Sequence, residues 1–440
     1  MAFNLSVSEA AKRLGVSSSR VYQLIDLGSL DAERIGRSWV VSDKSVAARV
    51  SQPVPAGRPK EKQLWGTSYL LMNRQYPVLA FEYDQDHDAF LQITQIIDKD
   101  RCPLGIVSAR GAKASLSALT FWWKHRAIPG TREGLAARLA DLGIQHAYAL
   151  PFKSLGLSLS DQYWVQPAGQ NIAWEDVNYF HNDFDLQDET WLSGVGLSTP
   201  DNTSEGELPK KWVIEAGQRT LLKGGSTLNQ EPFNEAVATT LYRRLLAPDE
   251  YVAYELRGSG QSARSACPCF ISDTEEYIPA YYVQGVMRRP NHLSEYRHLI
   301  ECCVRMGIED AELSLSKMLV TDDILANHDR HLRNFGIIRN VETLQCRMAP
   351  LFDSGNSLWC NVSLGQLQSH PTHFPSKPFY EDCNRQLRLV DDYSWFSPDA
   401  LEGFPQQLAQ ILGANPLLAD RIPYLQEWAE RRIARILVSL

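Results

Sequence analysis

The stretch Ala326–Asn340, ANHDRHLRNFGIIRN, sets Asp329 between His328 and His331, with Asn334 five residues past the aspartate. Three chemistries fit these side chains. His328, Asp329 and His331 belong to the residue types that hold zinc in a mononuclear hydrolase, given further ligands from elsewhere. A phosphoryl-transfer loop uses them differently: Asp329 accepts the hydrogen of a substrate hydroxyl, and the Asn334 amide oxygen holds magnesium, which prefers hard oxygen ligands. The third reading is a polar corner between a helix and the strand FGIIRN. The rest of the sequence has to decide.

Downstream, MAPLFDSGNSLW carries Asp353 nineteen residues past Asn334, after an apolar run and before a glycine, where a second magnesium carboxylate belongs. Upstream, TSEGELPKKWVIEAGQRTLLKGG reads as a short loop with Ser204 and Gly206, a strand opening near Lys210, a turn at Ala216-Gly217 and a second strand ending in Lys223. Backbone N–H groups of such a loop hold phosphates, and a strand lysine neutralises them. Glu235 follows twelve residues after Lys223, early in the helical stretch EPFNEAVATTLYRRLL. A helix glutamate that pairs with the strand lysine positions the phosphates. Taken singly, each feature has an ordinary explanation; Glu235, for one, is an acidic residue favoured at a helix start. Their joint order is that of a kinase. His370 and His373 fit no helical ligand pattern that would complete a zinc site.

With these residues in place, NHDRHLRNFGII and APLFDSG resemble the HipA-like kinase family, whose catalytic stretch runs D-x-H-x-x-N-F and whose metal motif is P-x-[YF]-D. Asp329, His331, Asn334 and Phe335 fit the first; Pro350, Phe352 and Asp353 fit the second. The resemblance extends over about Leu64–Leu440 and is strongest from Gly194 to Tyr380. It implies a two-lobed, α+β kinase-like fold, use of ATP and Mg2+, and phosphorylation of Ser or Thr on a protein substrate such as a translation factor or aminoacyl-tRNA synthetase. It also implies toxin–antitoxin biology with a possible antitoxin partner, and self-phosphorylation of the nucleotide loop at Ser204, with Thr203 and Ser198 nearby. On this reading Asp329, His331 and Lys223 are catalytic. Ser204, Gly206, Lys210, Lys223 and Glu235 bind the nucleotide, and Asn334 and Asp353 bind the metal.

The first 50 residues read separately. Ser6 and Glu9 have capping-box spacing before an apolar stripe of Ala10, Ala11 and Leu14. Gly15 makes a turn, Ser17 or Ser18 caps a second helix, and ERIGRSWVV reads as a hairpin tipped by Gly36 before a last helix opened by Asp43. This resembles the winged helix-turn-helix of the excisionase and MerR-like group, which implies DNA contacts from Ser18, Ser19, Arg20, Tyr22 and Gln23, with Arg34 and Arg37 of the hairpin on phosphate or minor groove. A helix-turn-helix turned to protein docking is the other reading. Residues 1–62 carry ten Lys/Arg against six Asp/Glu, so +4, whereas the whole chain is at −8 and the remainder therefore at −12. Nucleic-acid contact is expected from this head alone.

The expected organisation is a winged helix-turn-helix over 1–50, a Pro-rich linker over 51–63, a nucleotide lobe over 64–290 and a helical catalytic lobe over 291–440. LWGTSYLLMNRQYPVLAFEYD reads as two strands about a polar turn, TREGLAARLADL as a helix, and the Trp-rich stretches as core. YIPAYYVQG reads as the hinge strand behind adenine, and SLGQLQSHPTHFPSKPF as an irregular substrate-side segment. No apolar run approaches the ~20 residues of a membrane span. The N-terminus lacks a signal peptide's basic and apolar regions, and the 8 scattered cysteines read as thiols. A cytoplasmic protein is expected. The function this supports is a kinase with a fused DNA-binding head; a pseudokinase regulator, or a lipid or small-molecule kinase, are the alternatives.

Overall fold

The computed structural model describes residues 4–26, 30–35, 38–51, 67–108, 113–126, 149–182, 208–369 and 374–439. The chain forms two compact units, Met1–Trp65 and Gly66–Leu440.

In the first unit, strand β1 (Asn4–Ser6) leads into α1 (Val7–Leu14). The expected capping box forms: Ser6 Oγ accepts the Glu9 amide at 3.2 Å, and the Ser6 amide donates to Glu9 Oε2 at 2.9 Å. Gly15 ends the helix at φ 66°, a left-handed conformation that glycine adopts without penalty. Helix α2 (Ser18–Asp26) starts after Ser17, whose hydroxyl accepts the Arg20 amide at 3.3 Å. Strands β2 (Ala32–Ile35) and β3 (Ser38–Ser42) pair as the expected hairpin, and α3 (Asp43–Ser51) closes the unit. The sheet order is β1-β3-β2; β1 is an addition to the sequence reading. Ala10, Val21, Val41 and Val46, all fully buried, form the core.

The second unit opens with a four-stranded antiparallel sheet, β6-β5-β4-β7, from β4 (Thr67–Asn73), β5 (Tyr76–Asp84), β6 (Ala89–Ile96) and β7 (Tyr163–Pro167). Against it packs α4 (Leu116–Lys124), whose Trp122 and Trp123 are core residues, as the tryptophans were expected to be. The stretch 131–142, expected to be a helix, lies outside the described residues. Strands β8 (Lys210–Glu215) and β9 (Gln218–Lys223) form the anticipated hairpin. They belong to a second sheet, order β10-β11-β9-β8, with β10 (Glu255–Arg257) and β11 (Arg264–Pro268). Helix α5 (Glu231–Leu245) packs on this sheet.

YIPAYYVQG, expected as the hinge strand and its exit, is not hydrogen-bonded to the Lys223 strand. Its first part ends β12 (Glu275–Pro279), which pairs with β13 (Gly336–Asn340) in a third sheet completed by β14 (Cys346–Met348); Ala280–Val283 is a helical turn. The strand hydrogen-bonded to β9 is β11. The β12–β13 pair is tight: a Cβ on Gly336 would sit 2.2 Å from the Ile278 carbonyl oxygen. The helical part comprises α6 (Glu295–Arg305), α7 (Ala311–Leu325), α8 (Phe404–Gly413) and α9 (Ile422–Ser439). Its core merges with that of α5 through Leu241, Leu319, Leu408 and Leu425. All eight cysteines are unpaired thiols. Among the described residues, no helix is long and apolar enough to cross a membrane.

Candidate active site

Lys223 ends β9 with its side chain almost fully buried. Its ammonium donates to Glu235 Oε1 on α5 at 2.5 Å and to Asp353 Oδ1. The other Glu235 oxygen accepts the Ser354 amide at 2.9 Å, so one glutamate braces both the lysine and the loop after β14. Burial by itself would push Lys223 down; Asp353 and Glu235 outweigh it and hold the ammonium well above its ordinary range. Burial would likewise raise Asp353, but Lys223, Lys210 and Arg330 hold that carboxyl well below the usual range. Lys210 stands directly across from Lys223 in the β8–β9 register, on the same sheet face. Asp353 adopts φ 58°, left-handed backbone that costs a non-glycine residue about 1 kcal/mol or more and concentrates at functional sites.

The Asp329 loop follows α7. Ala326 terminates the helix in left-handed conformation, and Asn327 Oδ1 accepts the Asp329 amide at 3.0 Å. The Asp329 carbonyl accepts Asn334 Nδ2 at 3.0 Å, which fixes the five-residue spacing as a closed turn. The carboxylate has two partners, Asn356 Nδ2 on one oxygen at 2.9 Å and Lys377 Nζ on the other at 3.0 Å. His331 Nδ1 faces the Arg333 amide at 3.3 Å, so its ring organises the loop.

Arg330 ties the two motifs together. Fully buried, it donates from Nε and Nη2 to the Asp322 carboxylate at 2.8 and 3.0 Å. Its Nη1 reaches the Asn334 carbonyl at 2.8 Å and the Phe352 carbonyl at 2.5 Å, and Nη2 reaches Ser354 Oγ at 3.1 Å. A single guanidinium thereby sets the backbone of Asn334 beside that of Asp353. The sequence reading missed Arg330, Asp322, Asn356 and Lys377. The one available signal was the pair Asp322-Asp323 inside an apolar helix, which marks buried charge in need of partners.

Burial pushes His328 and His331 below the ordinary imidazole value. A histidine whose folded pKa is depressed binds fewer protons folded than unfolded, so stability falls as pH drops below about 6.5. Denaturant midpoints at pH 7.5 and 5.5 should therefore separate less for His328→Gln than for the wild type.

Of the other expected residues, Ser204, Gly206 and Arg37 lie outside the described residues, as do Ser198, Thr203, His370 and His373. Ser18, Ser19 and Arg20 are exposed at the start of α2, with Tyr22 45% exposed beside them; Gln23 lies on α2 and Arg34 on β2. No three His, Cys, Asp or Glu converge as a metal cluster among the described residues.

Residues 5–52 match the family model of the helix-turn-helix domain. The structure is similar to that of HipA from Shewanella oneidensis MR-1, solved as a toxin–antitoxin complex with HipB and its operator DNA. Identity is 12%, TM-score 0.50, and the match covers 83% of this chain and 97% of that one. The body shares the fold of HipA. The chain is thus a HipA-like fold behind an N-terminal helix-turn-helix. A proinflammatory kinase of Helicobacter pylori, CtkA, also matches, at 16% identity and TM-score 0.40, over 53% of this chain and 97% of that one. No curated protein matches the sequence.

Proposed function

We propose that the body is an ATP-dependent Ser/Thr protein kinase of HipA-like toxin type, joined to a head that binds DNA. One observation carries the reading: Arg330 binds the backbones of both Asn334 and Phe352, so the Asp329–Asn334 loop is tied to the Asp353 segment, and Asp353 meets the Lys223–Glu235 pair. Asp329 accepts the proton of the acceptor hydroxyl. Lys223, braced by Glu235, engages the non-transferred phosphates, and Lys210 adds charge from the neighbouring strand. The donors offered by Asn334 and Asp353 are oxygens alone, which suits Mg2+ rather than zinc. Bound there, Mg2+ would neutralise phosphate charge. His331 shapes the loop. Ser204 and Gly206 belong to the nucleotide loop in this reading, and phosphate on Ser204 would compete for the N–H groups that hold ATP. Adenine would rest among Leu221, Cys267 and Phe352, which gather with Tyr254 beside the end of β11.

Labelled γ-phosphate from ATP, with Mg2+, should appear on Ser or Thr of the chain itself or of a protein substrate, and the label should depend on Asp329. A chain that binds ATP but transfers no label would be a pseudokinase.

For the head, the exposed start of α2 supports major-groove docking, with Ser18, Ser19, Arg20, Tyr22 and Gln23 at the DNA and Arg34 and Arg37 on the backbone. Arg20→Ala in the full chain should weaken binding to the DNA upstream of its own coding sequence by about 1–3 kcal/mol. Fluorescence anisotropy at two salt concentrations checks this. Equal affinity of variant and wild type would favour a head that docks a protein, such as an antitoxin partner.

A further inference from the structure

Resting on the kinase reading, we propose that Lys377 is a catalytic cation, held on Asp329 to meet the phosphoryl group in flight. Its ammonium lies 3.0 Å from Asp329 Oδ1. An acceptor hydroxyl must also come within hydrogen-bond distance of that carboxylate. Two partners on one carboxylate, each ~2.8–3.0 Å away, sit roughly 5 Å apart on one oxygen and up to about 7 Å apart on two. The ammonium therefore stands within about 7 Å of the acceptor oxygen, inside the reach of a flexible lysine side chain toward the phosphoryl group that oxygen attacks.

Among the described residues, no other cation forms an ion pair with Asp329. Arg330 is fully buried and spent on Asp322, two carbonyls and Ser354. Arg333 lies over the Tyr281 ring at 5.1 Å. Lys223 is enclosed by Glu235 and Asp353.

Lys377 is also fixed in position. Its carbonyl accepts from the buried Gln386 amide, whose oxygen takes the Phe379 and Tyr380 amides at 3.0 and 3.2 Å. Ser376 closes the turn on the Tyr380 carbonyl at 2.6 Å. Phe379 then packs edge-on against Phe335, the neighbour of Asn334 in the loop, at 6.5 Å between ring centroids. The turn that carries Lys377 is thus registered to the loop that carries the base. The lysine side chain is 48% exposed, and half-exposed ion pairs contribute little to stability, so a structural role does not account for the arrangement.

In the transfer step, the acceptor oxygen bonds to the γ-phosphorus as the bond to the β,γ-bridging oxygen breaks. The bond pair leaves with ADP, and the hydroxyl proton passes to Asp329. Lys377 neutralises charge on the transferring oxygens and keeps its own protons.

The test uses the full chain as its own acceptor of labelled γ-phosphate, comparing wild type, Lys377→Met and Lys377→Arg, with MgADP affinity measured by calorimetry. Lys377→Met is expected to lose about 10²-fold in initial rate, with MgADP affinity held within about threefold, and Lys377→Arg to recover most of that rate. A Met variant as fast as the wild type, or faster, overturns the role; the faster case would make the ammonium a plug on the base. Parallel losses of rate, MgADP affinity and melting temperature would make it structural. An inactive wild type would overturn the kinase reading itself, and the Lys377 role with it.

Discussion

Asp329→Asn should lower phosphoryl transfer by about 10³-fold or more, while MgADP affinity changes by less than about threefold. The change keeps the size of the side chain and removes its charge. Lost with the charge is the acceptor for the hydroxyl proton. The groups that hold nucleotide stand on separate supports, because Lys223 is braced by Glu235 and by Asp353. The Asn327 cap on the Asp329 amide and the Asn334 bond to its carbonyl involve only backbone at residue 329, so the loop should keep its shape. The surrendered ion pair to Lys377 is partly exposed on both sides, worth about 1 kcal/mol at most. Melting temperature should therefore move little. Initial rates of label transfer, read beside calorimetric MgADP binding, separate this outcome from misfolding. A variant that retains wild-type transfer would remove Asp329 from the chemistry.

Some of this was legible because chemistry dictates order along the chain. A phosphate-binding lysine on a strand, a glutamate on the next helix, a base and an amide five residues apart, and a later carboxylate can be read without coordinates. The hairpins over Lys210–Lys223 and Thr67–Asp84 were legible from a glycine turn and a polar turn, each between apolar runs. The supports were not. Lys377 is 48 residues from Asp329, and Asn356 is 27 away. Nothing local in PSKPF says that its lysine returns to the base. Tyr277–Pro279 shows the same limit for strand pairing. A short apolar run can be read as a strand, but its pairing partner is a non-local choice, here β13, whose Gly336 leaves room for the close approach. Strand β1, only three residues long, carries too little pattern to be read at all.

Arg330→Met is expected to cost about 3–5 kcal/mol of unfolding free energy, measured by denaturant titration, because it breaks a buried ion pair and leaves Asp322 unpaired. Bulk solvent does not reach the pair to take over. Arg330 is fully buried and Asp322 nearly so. After the change the Asp322 carboxylate retains, among the described residues, the Asn327 amide at 2.9 Å. The Asn334 and Phe352 carbonyls lose a charged donor as well. Replacing both partners removes the orphan charge, so Arg330→Met with Asp322→Leu should recover part of the stability lost by Arg330→Met alone. Activity should not follow. The double variant restores apolar packing but not the tie between Asn334 and Asp353, so its transfer rate should stay near that of the single variant. That divergence distinguishes a guanidinium that merely fills the core from one that assembles the site. If stability and transfer returned together, alignment of the two motifs would have to come from elsewhere, and the observation on which the kinase reading rests would lose its force.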